Sequence, residues 1–166
     1  MDEIDLYSQE LARQVETAFS DVPYPGDDAI VPLYDNEPHC DECADLARRF
    51  RGKNWQSVPL ETIIWERGSL PRFTVEAFRY YLPAFLRAEL LHSSETDTLG
   101  ENLFYLLTPP ENENGDAMTW FLEYVKGFSS QQEAVLKEYV RQYIQNSSYL
   151  IPGENRAKKF WGLDDV

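Results

Sequence analysis

The sequence predicts an all-α protein: a single compact bundle of about six or seven short helices with loop-rich connections, forming a single helical domain over residues 1–166. Three observations predict it. Apolar residues recur at helical spacing in segment after segment, helix start and stop signals punctuate the chain, and strand-like alternation is scarce. Composition agrees, because 10 Tyr, 9 Phe and 4 Trp supply a core that needs no disulfide or metal. No repeat and no low-complexity segment interrupts the pattern.

Taken in order, residues 8–19 place Leu11, Val15, Ala18 and Phe19 on one helical face, and Pro23 and Pro25 end the element. Residues 22–36 are rich in proline and acids and read as a surface loop, tacked to the core by Ile30, Val31 and Leu33. Residues 38–51 read as a helix with agreeing signals at both ends. Pro38 suits a first turn, where its missing N–H costs nothing. Asp41, Glu42 and Asp45 come early and Arg48, Arg49 and Arg51 late, which complements the macrodipole, and Gly52 follows as a C-terminal cap. A short helix is expected after Pro59, carrying Leu60, Ile63 and Ile64.

Thr74 caps a long helix over 75–91, with Ala77, Phe78, Tyr81, Leu82, Phe85 and Leu86 in its stripe. Pro83 removes a backbone donor inside it, which predicts a kink or break. Residues 99–107 form a short helix stopped by Pro109 and Pro110, and 111–116 an exposed loop. Residues 116–127 present Met118, Phe121, Leu122 and Val125 on one face. Ser130 with Glu133 reads as the capping box of a helix reaching Asn146, and a final helix is expected over 155–161.

Charge is the compositional outlier, with 29 acidic against 15 basic residues and a formal net charge of -14. Such a surface repels phosphate backbones and anionic lipid, so neither direct nucleic-acid nor membrane binding is expected, and it speeds association with a basic protein partner. The start, Met1-Asp2-Glu3-Ile4-Asp5, lacks the basic and apolar stretches of a signal peptide, and no apolar run approaches the roughly 20 residues that cross a bilayer. Two cysteines this close together close almost no loop and make a poor structural disulfide. A cytoplasmic protein with reduced thiols is the expectation.

Both cysteines and one of the two histidines fall in the run His39-Cys40-Asp41-Glu42-Cys43, the first candidate for chemistry. Two cysteines at this spacing are half of a zinc site, whose other ligands would come from His39, His92 or carboxylates; the second CxxC or HxxxH is absent. A thiol–disulfide site gains from a helix N-terminus but is opposed by the neighbouring Asp41, Glu42 and Asp45. The spacing of Cys40, Cys43, Ala47 and Phe50 also fits the buried stripe of a helix, with His39 hydrogen-bonding locally at its start. No cofactor is expected on that reading, with zinc as the alternative.

The run Phe78-Arg79-Tyr80-Tyr81-Leu82-Pro83-Ala84-Phe85 is the second unusual feature. Arg79, Tyr80 and Tyr81 beside a proline break could line a small-molecule pocket; as structure, Phe78, Tyr81, Leu82 and Phe85 are core and Tyr80 ties its hydroxyl to a loop. The basic clusters at 48–53 and 156–159 read as helix-end charges, and Trp55 and Trp161 as buried indoles. There is no glycine-rich phosphate loop, G-x-S-x-G elbow or H-E-x-x-H.

Taken together, His39-Cys40-x-Glu42-Cys43, Phe50-Arg51-Gly52-Lys53-x-Trp55 and the aromatic run ending Leu82-Pro83-Ala84-Phe85 resemble a family of small, uncharacterised bacterial proteins, over about residues 35–91. The resemblance implies a bacterial cytoplasmic protein whose motifs belong to one fold; it carries no activity and no functional residue. The functional expectation is a non-enzymatic acidic helical protein that binds another protein, immunity-like or regulatory against a basic partner. The alternative is a metal- or thiol-dependent site at residues 39–43, possible catalysis included.

Overall fold

The computed structural model describes residues 5–166; residues 1–4, most of the acidic start read above, lie outside them. The fold is mostly helical. In chain order the elements are α1 (Leu6–Ala18), β1 (Leu33–Tyr34), β2 (Glu37–Pro38), α2 (Asp41–Phe50), α3 (Leu60–Trp65), α4 (Val75–His92), α5 (Leu99–Leu106), α6 (Asp116–Tyr124), α7 (Ser130–Asn146) and α8 (Glu154–Trp161). Eight α-helices are thus present among the described residues, against the six or seven read from sequence. The short helix expected after Pro59 is present as α3, 6 residues long. The chain divides into two compact units, one up to Leu99 and one from Gly100.

In the first unit α4 is the central element, with α1 and α3 packed against it. It starts as the sequence indicates, with the Thr74 hydroxyl accepting from the Ala77 amide at 3.1 Å. Ala77, Phe78, Tyr80, Tyr81, Leu82, Ala84, Phe85 and Leu86 are all buried, so α4 is apolar around most of its circumference. The break expected at Pro83 does not occur: the helix runs on to His92 with Pro83 buried inside it. Burial on several sides holds the backbone together where one hydrogen bond is missing.

The Cys40 side of α2 differs from the sequence reading. Pro38 is not in the first helical turn; it belongs to β2 and lies opposite Leu33 in a two-stranded antiparallel hairpin. The turn of that hairpin is Asp35-Asn36, both in the left-handed region with φ 53° and 67°. Asp and Asn tolerate that conformation, and two successive positive φ values match the strand twist. The helix therefore begins only at Asp41, with Cys40 as an extended N-cap. Its other end agrees with expectation: Gly52, at φ 73°, follows the last turn.

Phe50 anchors α2 to an aromatic cluster. Its ring lies 5.1 Å from Phe73, 4.8 Å from Tyr81 and 6.0 Å from Phe85. The Tyr81 hydroxyl faces two carbonyl oxygens, that of Phe50 at the end of α2 at 2.7 Å and that of Lys53 in the loop after it at 2.8 Å. Tyr81, not Tyr80, therefore ties α4 to that loop; Tyr80 packs edge-on against Tyr24 at 5.5 Å.

The second unit holds α5 from Gly100 on, α6, α7 and α8. Leu103, Leu107, Phe121, Val125, Leu136, Val140, Ala157 and Leu163 form its core. The Trp161 indole donates to the Leu107 carbonyl at 2.7 Å, so α8 is pinned by a buried hydrogen bond as well as by packing on α7. The capping box of α7 sits one residue earlier than read: Ser129 accepts from the Gln132 amide at 3.2 Å, and the Gln132 side chain accepts from Ser129 at 3.0 Å. No helix among the described residues is long and apolar enough to cross a membrane.

Candidate functional site

The site is built at the junction of β2 and α2. The hairpin turn sends the chain through His39 into the extended Cys40, and the helix then starts at once. Because Cys40 is the N-cap and Cys43 the third helical residue, both side chains come to the same point in space. The Cys43 amide donates to the Cys40 sulfur at 3.3 Å, and the two sulfurs stand 2.6 Å apart. Both are free thiols, and they differ in surroundings: Cys40 is exposed and Cys43 is buried.

This corrects the sequence reading at Cys40, which put both sulfurs on the buried stripe of α2. Cys43, Leu46, Ala47 and Phe50 form that stripe; Cys40 lies outside it because the helix begins a turn later than Pro38 suggested. His39 is exposed and sets its ring against Tyr34 of β1, centroids 4.9 Å apart, in place of the local hydrogen bond expected of it.

Electrostatics sharpen the asymmetry of the pair. Burial pushes the Cys43 thiol up, the Cys40 sulfur beside it acts the same way, and the charge of Arg72 opposes both. Arg72 lies beyond α3 in sequence and reaches back to Glu42 at 2.6 Å. Sequence reasoning missed this cation, since nothing local links a residue thirty positions away to the motif. Of the three acids that sequence set against a thiolate, Glu42 pairs with Arg72 and Asp45 with Arg48. Only Asp41 is left with no ion pair among the described residues.

The other candidates lie elsewhere. His92 ends α4 and places Nδ1 3.2 Å from the Glu95 carboxylate, both exposed. Among the described residues no group of three or more His, Cys, Asp or Glu side chains is arranged to hold a metal ion. Tyr80 and Tyr81 are buried in the aromatic core, and Arg79 is half-buried on the same helix. Burial raises the Tyr81 phenol, with smaller contributions from Tyr24 and Tyr80, so it stays protonated as the donor that its carbonyl partners require. Members of the basic clusters hold partners within their own unit, Arg49 with Glu66, Lys158 with Glu154, and Arg156 with the Pro109 carbonyl. Trp55 and Trp161 are both buried.

A small, mostly helical protein with paired sulfurs at a helix start is the class that fold and site define. The chain belongs to a family of unknown function, DUF6714, whose model matches residues 7–162. No curated protein and no solved structure matches it.

Proposed function

We propose that Cys40 and Cys43 form a redox-active dithiol that exchanges with a disulfide carried by another molecule. The observation that carries this reading is an exposed sulfur and a buried sulfur 2.6 Å apart at the start of α2. A disulfide bond of about 2.0 Å is a short approach from that arrangement. The division of labour follows from access. The Cys40 thiolate attacks one sulfur of R–S–S–R′, the S–S bond breaks, and R′–S⁻ leaves and takes a proton from solvent. Cys43 then gives up its proton and attacks the Cys40 sulfur, and R–S⁻ leaves and is protonated in turn. Two cysteine thiols are oxidised to one disulfide and the partner disulfide is reduced to two thiols. Closing so small a loop adds little stability, which suits a bond that is made and broken. A zinc site using His39, Cys40, Cys43 and His92 has less support, because no third ligand joins the sulfurs among the described residues.

Treating the reduced protein with hydroxyethyl disulfide tests the reading. Both thiols are expected to disappear together, with a mass loss of two hydrogens and no adduct retained. Cys43→Ser is expected to stop at a stable mixed disulfide on Cys40. A protein that keeps both thiols, or that retains adducts with both cysteines present, rules the reading out.

A second reading is a non-enzymatic protein of the bacterial cytoplasm that binds a basic partner in an immunity-like or regulatory role. The net charge of -14 favours it, as does Trp65, 70% exposed, with the Arg49 guanidinium 5.5 Å from its ring; Trp and Arg are the side chains that most often anchor interfaces. A pull-down from the native host is expected to retain a partner at low salt and release it at high salt. Recovery of no salt-sensitive partner counts against it.

A further inference from the structure

Acids outnumber cations around the dithiol, where Arg72 is held by Glu42. From Gln14 to Ala47 the chain contains no lysine or arginine, while Asp35, Glu37, Asp41 and Glu42 flank Cys40 on both sides. All four are exposed. Glu42 is paired with Arg72, whereas Asp35, Glu37 and Asp41 make no ion pair among the described residues. The fold keeps these acids near the sulfur. The Tyr34 ring touches His39, so the hairpin lies beside the start of α2, with Asp35 in its turn and Glu37 in the strand that leads to Cys40. The same hairpin exposes an apolar surface, Leu33 at 38% and Tyr34 at 61%. A Cys40 thiolate adds one more negative charge to this rim. With Arg72 offset by Glu42, the three acids without an ion pair leave a net field that repels an anionic disulfide and attracts a cationic one.

Resting on the dithiol reading above, we propose that the disulfide exchanged at Cys40 belongs to a basic polypeptide segment, its flanking Lys or Arg side chains facing Asp35, Glu37 and Asp41 and an apolar neighbour lying on Leu33 and Tyr34. The acidic rim then selects the substrate, and the hairpin is part of the site. Small anionic disulfides such as oxidised glutathione are poor substrates by the same field.

The experiment follows oxidation of the reduced full-length chain by four disulfides: a cystine-bridged peptide flanked by lysines, the same peptide flanked by glutamates, cystamine, and uncharged hydroxyethyl disulfide. Each rate is divided by that of dithiothreitol with the same disulfide, which removes intrinsic reactivity. The lysine peptide is expected to exceed the glutamate peptide by roughly tenfold or more at low ionic strength, with the ratio falling toward one at about 0.5 M salt. The triple variant Asp35→Asn/Glu37→Gln/Asp41→Asn is expected to lower that ratio, and Tyr34→Ala to slow the lysine peptide relative to cystamine. Asn at position 35 tolerates the left-handed backbone there. Equal rates for the two peptides overturn the charge selection and leave the dithiol standing. Cystamine reacting as favourably as the lysine peptide overturns the polypeptide substrate. Oxidation by none of the four removes the dithiol reading and this inference together.

Discussion

At the scale of single residues, Tyr81 has the most demanding position in the first unit. One phenolic proton serves two carbonyl oxygens, one at the end of α2 and one in the loop that follows, and the ring is fully buried among Phe50, Phe73 and Tyr80. Tyr81→Phe keeps the packing and removes the hydroxyl donor; the Phe50 carbonyl keeps the Lys53 amide at 3.0 Å, and the Lys53 carbonyl loses the hydroxyl. A loss of about 1 kcal/mol is expected in urea unfolding, the net worth of an ordinary hydrogen bond. Glu89 supplies a pH test. Burial raises its carboxyl above the usual range, and the bond from Thr96 opposes that only in part. A group raised in the folded state favours folding fully below its unfolded pKa, and that contribution is lost as pH rises through the folded value. At neutral pH, above the unfolded value, Glu89 therefore supports the fold less than a neutral side chain does. Glu89→Gln is expected to unfold at higher denaturant than the parent at pH 7, with the difference closing as pH falls to about 4. Thermal or urea curves at the two pH values check it.

At the scale of elements, α2 shows where the sequence could be read and where it could not. Its C-terminal half was legible, because the late arginines and Gly52 are local signals that act through the helix's own dipole and backbone. Its start was misread for a physical reason. A spacing of three residues brings two side chains together on a helical stripe, and brings an N-cap to the third helical position just as well. Only the first helical residue tells them apart, and that was set by strands of two residues, too short to show a period. The candidate site was therefore visible as a spacing, while the exposure of Cys40 and the arrival of Arg72 were not. Two caps give element-scale predictions. Ser129→Ala removes half of the α7 capping box and is expected to cost about 1 kcal/mol in urea unfolding. Cys40→Ser abolishes disulfide formation yet is expected to keep or raise stability, because a hydroxyl caps a helix better than a thiol does. Stability and thiol chemistry are thereby separated in one variant.

For the molecule as a whole, a formal charge of -14 means that compaction works against self-repulsion. Raising ionic strength from about 0.01 M to 0.2 M shortens the Debye length from about 30 Å to under 10 Å, and the melting temperature is expected to rise with it; a thermal scan across that salt range checks the direction. The helical class was legible at this scale because aromatic and aliphatic stripes repeat along the chain, and stripes report burial directly. The division near Leu99 was not, since no proline-rich or glycine-rich linker marks it. One feature joins all three scales. The sulfur that caps α2 is also the atom that a new covalent bond would engage, and it already accepts the amide proton of Cys43. That proton is a spectroscopic reporter placed inside the site: its resonance frequency and its rate of exchange with deuterium follow the bonding state of Cys40, and can be read in the intact protein before any partner has been found.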